Sequence, residues 1–343
     1  MPSWRPLLGL ALLASACAAP QPAAQDDAAA TPWRLVAAGS IESGAAQGAR
    51  LCWSVQGTTL GVQTQSWTGF WQQGESGLRT LDRAMDLGPG FGGDTFLVRD
   101  ADGLAVLRGR DLELVRRIEG MPPGGSQGIV LPSPDGSRVF AAGGIYPLRL
   151  RGSALLEVDA DLPARELSSL RSENWVRGAW SADGSRLTTI SIGGVHGETG
   201  AIELFDAQGT SLTRRAVWRE GATPQAMALS PDGSRLLIAF MPALVGAGSL
   251  GLAIHELDPE TLATRRVLRD PATAHALFFL DEETLLAAPR HEGARLEIWD
   301  AETLELLAEL DAPSAASLAL SPDRRKLAVS VDGQILLYHL TRK

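Results

Sequence analysis

LSPDGSRLLIAF, residues 229–240, joins a tight turn to a buried strand, and close copies of it recur along the chain. Ser230-Pro231-Asp232-Gly233 puts Pro at the second and Gly at the fourth position of a type I turn, where each is favoured. Leu236, Leu237, Ile238 and Phe240 follow as an apolar run bounded by Gly and Pro. That run is too short for an independent helix and suits a buried strand.

The same grammar reads LPSPDGSRVF from Leu131, AWSADGSRLTTI from Ala179 and LALSPDRRKLAV from Leu318. In FFLDEETLLAA from Phe278 the turn loses Pro and Gly but keeps Asp281. CWSVQGTTLGV from Cys52 shares Trp-Ser with Trp180-Ser181 and places Gly57 where Gly184 stands. GGDTFLV from Gly92 is the weakest copy. The first apolar residues after these turns are Leu60, Phe96, Val139, Leu187, Leu236, Leu285 and Leu327, with steps of 36, 43, 48, 49, 49 and 42. A repeat of about 40–50 residues with several short strands per unit is the signature of a β-propeller blade.

One unit reads in full from AHALFFL: a first strand, then TLLAA, the loop PRHEGA, RLEIWD, the turn AET and LELLAEL. Four strands make a small sheet with two apolar faces, stable only when neighbours stack on both sides. The last copy, LALSPDRRKLAVSVDGQILLYHLTRK, ends after its third strand. WRLVAA, residues 33–38, is a lone strand before the first copy, and lending it to the last blade would leave no open edge. The expectation is an all-β, seven-bladed propeller, with six or eight blades as the range, closed by an N-terminal strand over residues 33–343.

Composition fits one body built by repetition: 37 Gly and 20 Pro supply many tight turns. With 31 basic and 40 acidic residues the net charge is −9, and −10 once Arg5 leaves with a leader. A concentrated basic surface is what nucleic acid needs, so nucleic acid is not an expected partner.

MPSWRPLLGLALLASACAAP has one Arg, an apolar run from Leu7 to Leu13 and small residues before Cys17. The run is too short for a membrane span and reads as a signal peptide over residues 1–16. The placement of Cys17 resembles the bacterial lipobox, with Ala14 where Leu is usual. That resemblance implies lipid attachment at Cys17, and an outer-membrane destination because Asp does not follow the Cys. An ordinary secretory leader, cut near Ala16 or Ala18 with Cys17 incidental, is the alternative. Residues 17–32, rich in Pro, Ala and Gln, read as a disordered tether between lipid and propeller. Cys52 is then without a disulfide partner and reads as a buried, inert thiol.

Taken together, the repeats resemble those of bacterial WD-repeat-like propellers, including Tol-system SPDG repeats and YVTN-type repeats, over residues 33–343. Trp-Asp itself occurs at Trp299-Asp300, with LFD at 204–206 and ELD at 256–258 in its place elsewhere, and the Gly-His pair of eukaryotic WD repeats is missing. The resemblance implies a propeller and leaves function to the loops.

No catalytic constellation emerges. His255 and His339 fall in third strands and His275 in a first strand, where structural roles suffice; none of the five His makes a paired metal-ligand spacing. No cofactor is expected. RDADGLAV from Arg99 lacks the ligands of a calcium loop and reads as a hairpin on Asp102-Gly103. GGVHGETG from Gly193 lacks the strand-loop-helix context of a phosphate loop, and no Gly-x-Ser-x-Gly elbow is present.

A binding surface departs from its repeat. The loop between second and third strands is only VDG in the last blade but GGIYPLRLRGS, IGGVHGETG, FMPALVGAGSLG and PRHEGA in four consecutive ones. These form a candidate partner-binding rim carrying Tyr146, Arg149, Arg151, His196, Glu198, Met241, Leu244, Arg290, His291 and Glu292. An apolar loop flanked by charged ones matches a greasy centre with a polar rim. The reading is a periplasmic, outer-membrane lipoprotein that serves as a scaffold for another envelope protein or peptide. The alternatives are a lactonase-like hydrolase with a central-funnel site, or a sensor for a sugar or peptidoglycan fragment. First strands such as QAMALS and AASLALS are mostly small and apolar, so only His275 is expected to keep the funnel reading open.

Overall fold

The computed structural model describes residues 33–43, 49–64, 66–82, 85–100, 102–119, 128–142, 153–158, 165–170, 174–193, 199–208, 211–220, 222–242, 253–268, 274–289, 293–315 and 317–342. The chain divides into two units, Met1–Ala30 and Thr31–Lys343, and the described residues all belong to the second. Among them there are 28 strands and no helix.

The first strand, β1 (Trp33–Glu42), stands apart from the sheet that follows it. That sheet is β2 (Arg50–Trp53), β3 (Thr59–Gln63), β4 (Thr68–Gln72) and β5 (Arg79–Leu81). Next come β6 (Asp86–Pro89), β7 (Thr95–Asp100), β8 (Gly103–Arg108) and β9 (Leu114–Ile118). They are followed by β10 (Ile129–Pro132), β11 (Arg138–Ala142), β12 (Ser153–Glu157) and β13 (Arg165–Leu170). These two quartets are antiparallel meanders joined into one eight-stranded sheet by a single parallel pair, Ile129 beside Leu87.

Two four-stranded meanders come next. The first is β14 (Asn174–Trp180), β15 (Arg186–Gly193), β16 (Thr199–Gln208) and β17 (Ser211–Glu220). The second is β18 (Ala222–Leu229), β19 (Leu236–Pro242), β20 (Ala253–Leu257) and β21 (Thr264–Leu268). The parse of AHALFFL onward holds strand for strand in β22 (Ala274–Phe279), β23 (Thr284–Pro289), β24 (Arg295–Asp300) and β25 (Leu306–Pro313). Finally β26 (Leu318–Leu320), β27 (Lys326–Val331) and β28 (Gln334–Arg342) take β1 as the fourth strand, antiparallel with Trp33 beside Arg342. The borrowed strand is longer than WRLVAA, running on through a register shift at Ala37/Gly39 to Glu42.

The SPDG turn earns its recurrence by closing on itself. Gly233 N–H donates to Ser230 C=O at 2.9 Å, Ser230 Oγ donates to Asp232 Oδ1 at 2.5 Å, and Arg235 N–H donates to Ser230 Oγ at 3.0 Å. The copies at Ser133, Ser181 and Ser321 repeat all three bonds. Gly233 sits at φ +73°, which a glycine adopts freely; in the last copy Arg324 takes that place at φ +57°. RDADGLAV forms the expected hairpin, with Asp100 paired to Gly103.

Behind each turn the marker residues Leu60, Phe96, Val139, Leu187, Leu236, Leu285 and Leu327 are all 0% exposed. Each apolar cluster bridges two successive quartets. Phe70 and Phe96 meet across the first pair, and Trp299 packs among Leu237, Ile254 and Phe279 across another. One cluster returns to the beginning, placing Trp53 and Leu60 against Ala319, Ala328 and Leu337. Hydrogen bonds repeat this logic. Trp180 Nε1 donates to Leu131 C=O in the preceding quartet, and Trp53 Nε1 donates to Ala319 C=O, both at 3.0 Å.

Candidate functional site

The strands β2, β6, β10, β14, β18, β22 and β26 each contribute to the wall of one cavity of about 820 Å³. The expectation that this axis would be small and apolar apart from His275 is corrected here. Arg50, Arg177 and Arg324 line the cavity together with Gln63, Gln225 and His275, and among the described lining residues there is no Asp or Glu. A chain of net charge −9 therefore carries a cationic axial cavity.

Backbone irregularity positions these groups. Registers in β18 and β22 slip by one residue between Pro224 and Ala226 and between Ala274 and Ala276, leaving Gln225 and His275 as bulges. A bulge frees a residue from its ladder and re-aims it, a common device beside binding sites. Arg177, which follows a third bulge in β14, uses both freed carbonyls: Nε donates to Gln225 C=O at 3.3 Å and Nη2 to His275 C=O at 3.2 Å. One side chain thus reaches across two neighbouring sheets.

Arg50 does the equivalent on the other side. Its Nη1 donates to Gly128 C=O at 2.8 Å, while Gly128 N–H donates to Asp86 Oδ1 at 2.6 Å. Asp86 is held in turn by Arg99 through a fully buried ion pair at 2.8 Å. Gly128 has no room for a side chain, since an added Cβ would lie 2.4 Å from the Asp86 carboxylate and 2.3 Å from Ala142 C=O.

Burial pushes the Arg177 guanidinium down to about 10, and the nearby Arg50 charge adds to that shift. Arg50 is lowered by burial as well, with Asp86 pulling the other way. Opposite Arg50 in the β2/β3 register stands Gln63, 3% exposed, whose Oε1 and Nε2 find no hydrogen-bond partner among the described residues. Cys52 also borders the cavity; it is half-buried rather than fully so, and burial raises its thiol to about 12, as suits an inert group.

The long loops leave the sheets at this same end. Second strands terminate at Ala142, Gly193, Pro242 and Pro289, beside the first-strand starts at Ile129, Asn174, Ala222 and Ala274. Of the predicted rim, Tyr146, Arg149, Arg151, His196, Glu198, Leu244, Arg290, His291, Glu292 and the Met241 side chain lie outside the described residues, as does Cys17. His255, in β20, packs edge-on against Phe240 of β19 and is not among the residues lining the cavity. Among the described residues no group of three or more His, Cys, Asp or Glu is placed to hold a metal.

No family model and no curated protein matches the chain. Among solved structures, a chain from the crystal structure of a mitotic checkpoint complex is similar with a TM-score of 0.64 at 17% identity. The match covers 97% of this chain and 99% of that one. It shows the fold: the chain is an all-β, WD-repeat-like propeller.

Proposed function

We propose that this propeller is a protein-interaction scaffold of the bacterial SPDG-repeat kind, exported and held by lipid at Cys17 on the periplasmic side of the outer membrane. Its partner is another envelope protein or peptide. The observation that carries the reading is convergence: in four consecutive sheets the second strand, which precedes a long second-to-third-strand loop in the sequence, ends beside the start of its first strand. Propellers bind partners by presenting loops on a rigid frame, so the partner meets a surface that loses little freedom on binding.

In this reading the eight-stranded sheet is two blades that touch through one residue pair, giving seven blades closed by β1. Cyclic packing supports it, because the cluster linking Trp53 to Ala319 is of the same kind as those between consecutive blades. The solved neighbour comes from a protein complex, which agrees with a scaffold role.

The test is site-specific photocrosslinking in isolated membranes, with the reactive group at Met241 in the rim or at Ser234, exposed at the other end of β19. Capture of one defined envelope protein from Met241 and not from Ser234 is expected; equal capture at both, or none, contradicts the rim. Anchoring is checked separately. Fatty-acid labelling of the wild type and its loss in Cys17→Ser is the expected pattern, and an unlabelled wild type removes the lipid.

A further inference from the structure

The axial cavity has the size of a small-molecule site, about 820 Å³ against a usual range of about 300–1,000 Å³. Among the described lining residues its charge is one-sided, with three arginines and no carboxylate. Arg50 and Arg177 make their hydrogen bonds to backbone carbonyls rather than to acids. A guanidinium offers five N–H donors in a planar fork, so each keeps donors beyond those bonds.

Gln63 is a second and independent sign. A buried amide with both polar atoms unpartnered is rare and costly in a native protein unless something else satisfies it. It faces Arg50 across the β2/β3 register, so a donor fork and an amide converge on one volume. Leu87, Ile129, Leu277, Phe278 and Trp180 give part of the wall an apolar surface, beside the polar Gln225, His275, Ser317 and Ser321. Depression of the Arg177 pKa by burial and by Arg50 is relieved by a negative charge placed between them.

We infer that the cavity binds a small organic oxyanion, a carboxylate or phosphate ester on an apolar body, gripped by Arg50, Arg177 and Gln63. Recognition of the anion stands independently of any protein partner on the rim.

The experiment is calorimetric titration of the full chain with benzoate, phenyl phosphate, inorganic phosphate and neutral benzamide. Saturable binding of benzoate or phenyl phosphate, roughly tenfold or more tighter than benzamide, is expected, and the tighter of the two identifies the headgroup. Arg50→Gln and Arg177→Gln should each weaken that binding by roughly tenfold or more. Gln63→Leu should weaken it too while melting no lower than the wild type, since it removes an orphaned amide; this variant decides the matter if an arginine variant fails to fold. Benzamide binding as well as benzoate, or binding that survives all three substitutions, overturns the site. Inorganic phosphate binding as tightly as phenyl phosphate overturns the organic assignment.

Discussion

A serine and an aspartate, repeated, hold the turns of this protein. Asp232 and Asp183 are both drawn down to about 2, first by the hydroxyl of Ser230 or Ser181 and then by the backbone N–H two residues on. An unfolded Asp titrates near about 3.9. The folded value is the lower one, so the ionised form stabilises the fold fully above that unfolded value and ceases to do so as pH falls toward 2. Asp232→Asn should therefore lower the melting temperature at pH 6, and the gap to wild type should close between about pH 4 and pH 2. A gap independent of pH would assign the loss to shape rather than charge. At the marker positions burial decides: Leu236→Ala, at a fully buried site, should cost about 2–5 kcal/mol in chemical denaturation.

Strands and their turns were legible in the sequence because turn chemistry is local: Pro, Asp and Gly in sequence determine the backbone whatever lies around them. Even the degenerate copy from Phe278 forms its turn, with Thr284 Oγ1 donating to Asp281 in place of the missing Ser-Asp pair. The Trp-Ser shared by two copies proved to have a purpose that single-copy reading could not supply. Each indole bonds a carbonyl of the neighbouring first strand. Trp180→Phe keeps the apolar body and deletes that bond, so a loss of about 1 kcal/mol in denaturant unfolding is expected. A loss near zero would mean that water replaces the indole. Hidden from the sequence were the bulges. Nothing in ATPQAMAL or AHALFF announces that Gln225 and His275 will leave the ladder, and with them the acceptors that fix Arg177.

The cationic cavity is a property of the whole molecule. Arg50 and Arg177 lie in distant copies, each looks like an ordinary charge in a first strand, and only the packing of the sheets about a common cavity brings them together. One cue was available: polar residues four or five places before the turn recur as Arg50, Arg177, Gln225 and Ser317, where an apolar first strand has no need of them. The second strands that precede the long loops end beside the starts of the first strands, so the proposed scaffold and the proposed anion site would both depend on the same packing of sheets.

In the proposed ring, closure rests on β1, which makes the outer edge of the last sheet from the other end of the chain. Without it β28 presents an open edge, and the blade that packs on Trp53 and Leu60 loses a strand. Thermal unfolding of a chain beginning at Ser43, with and without the added peptide Trp33–Glu42, tests this most directly. A broad, lowered transition that the peptide restores to a single sharp one at the wild-type temperature is the predicted result; an unchanged transition in the shortened chain would contradict the closed ring.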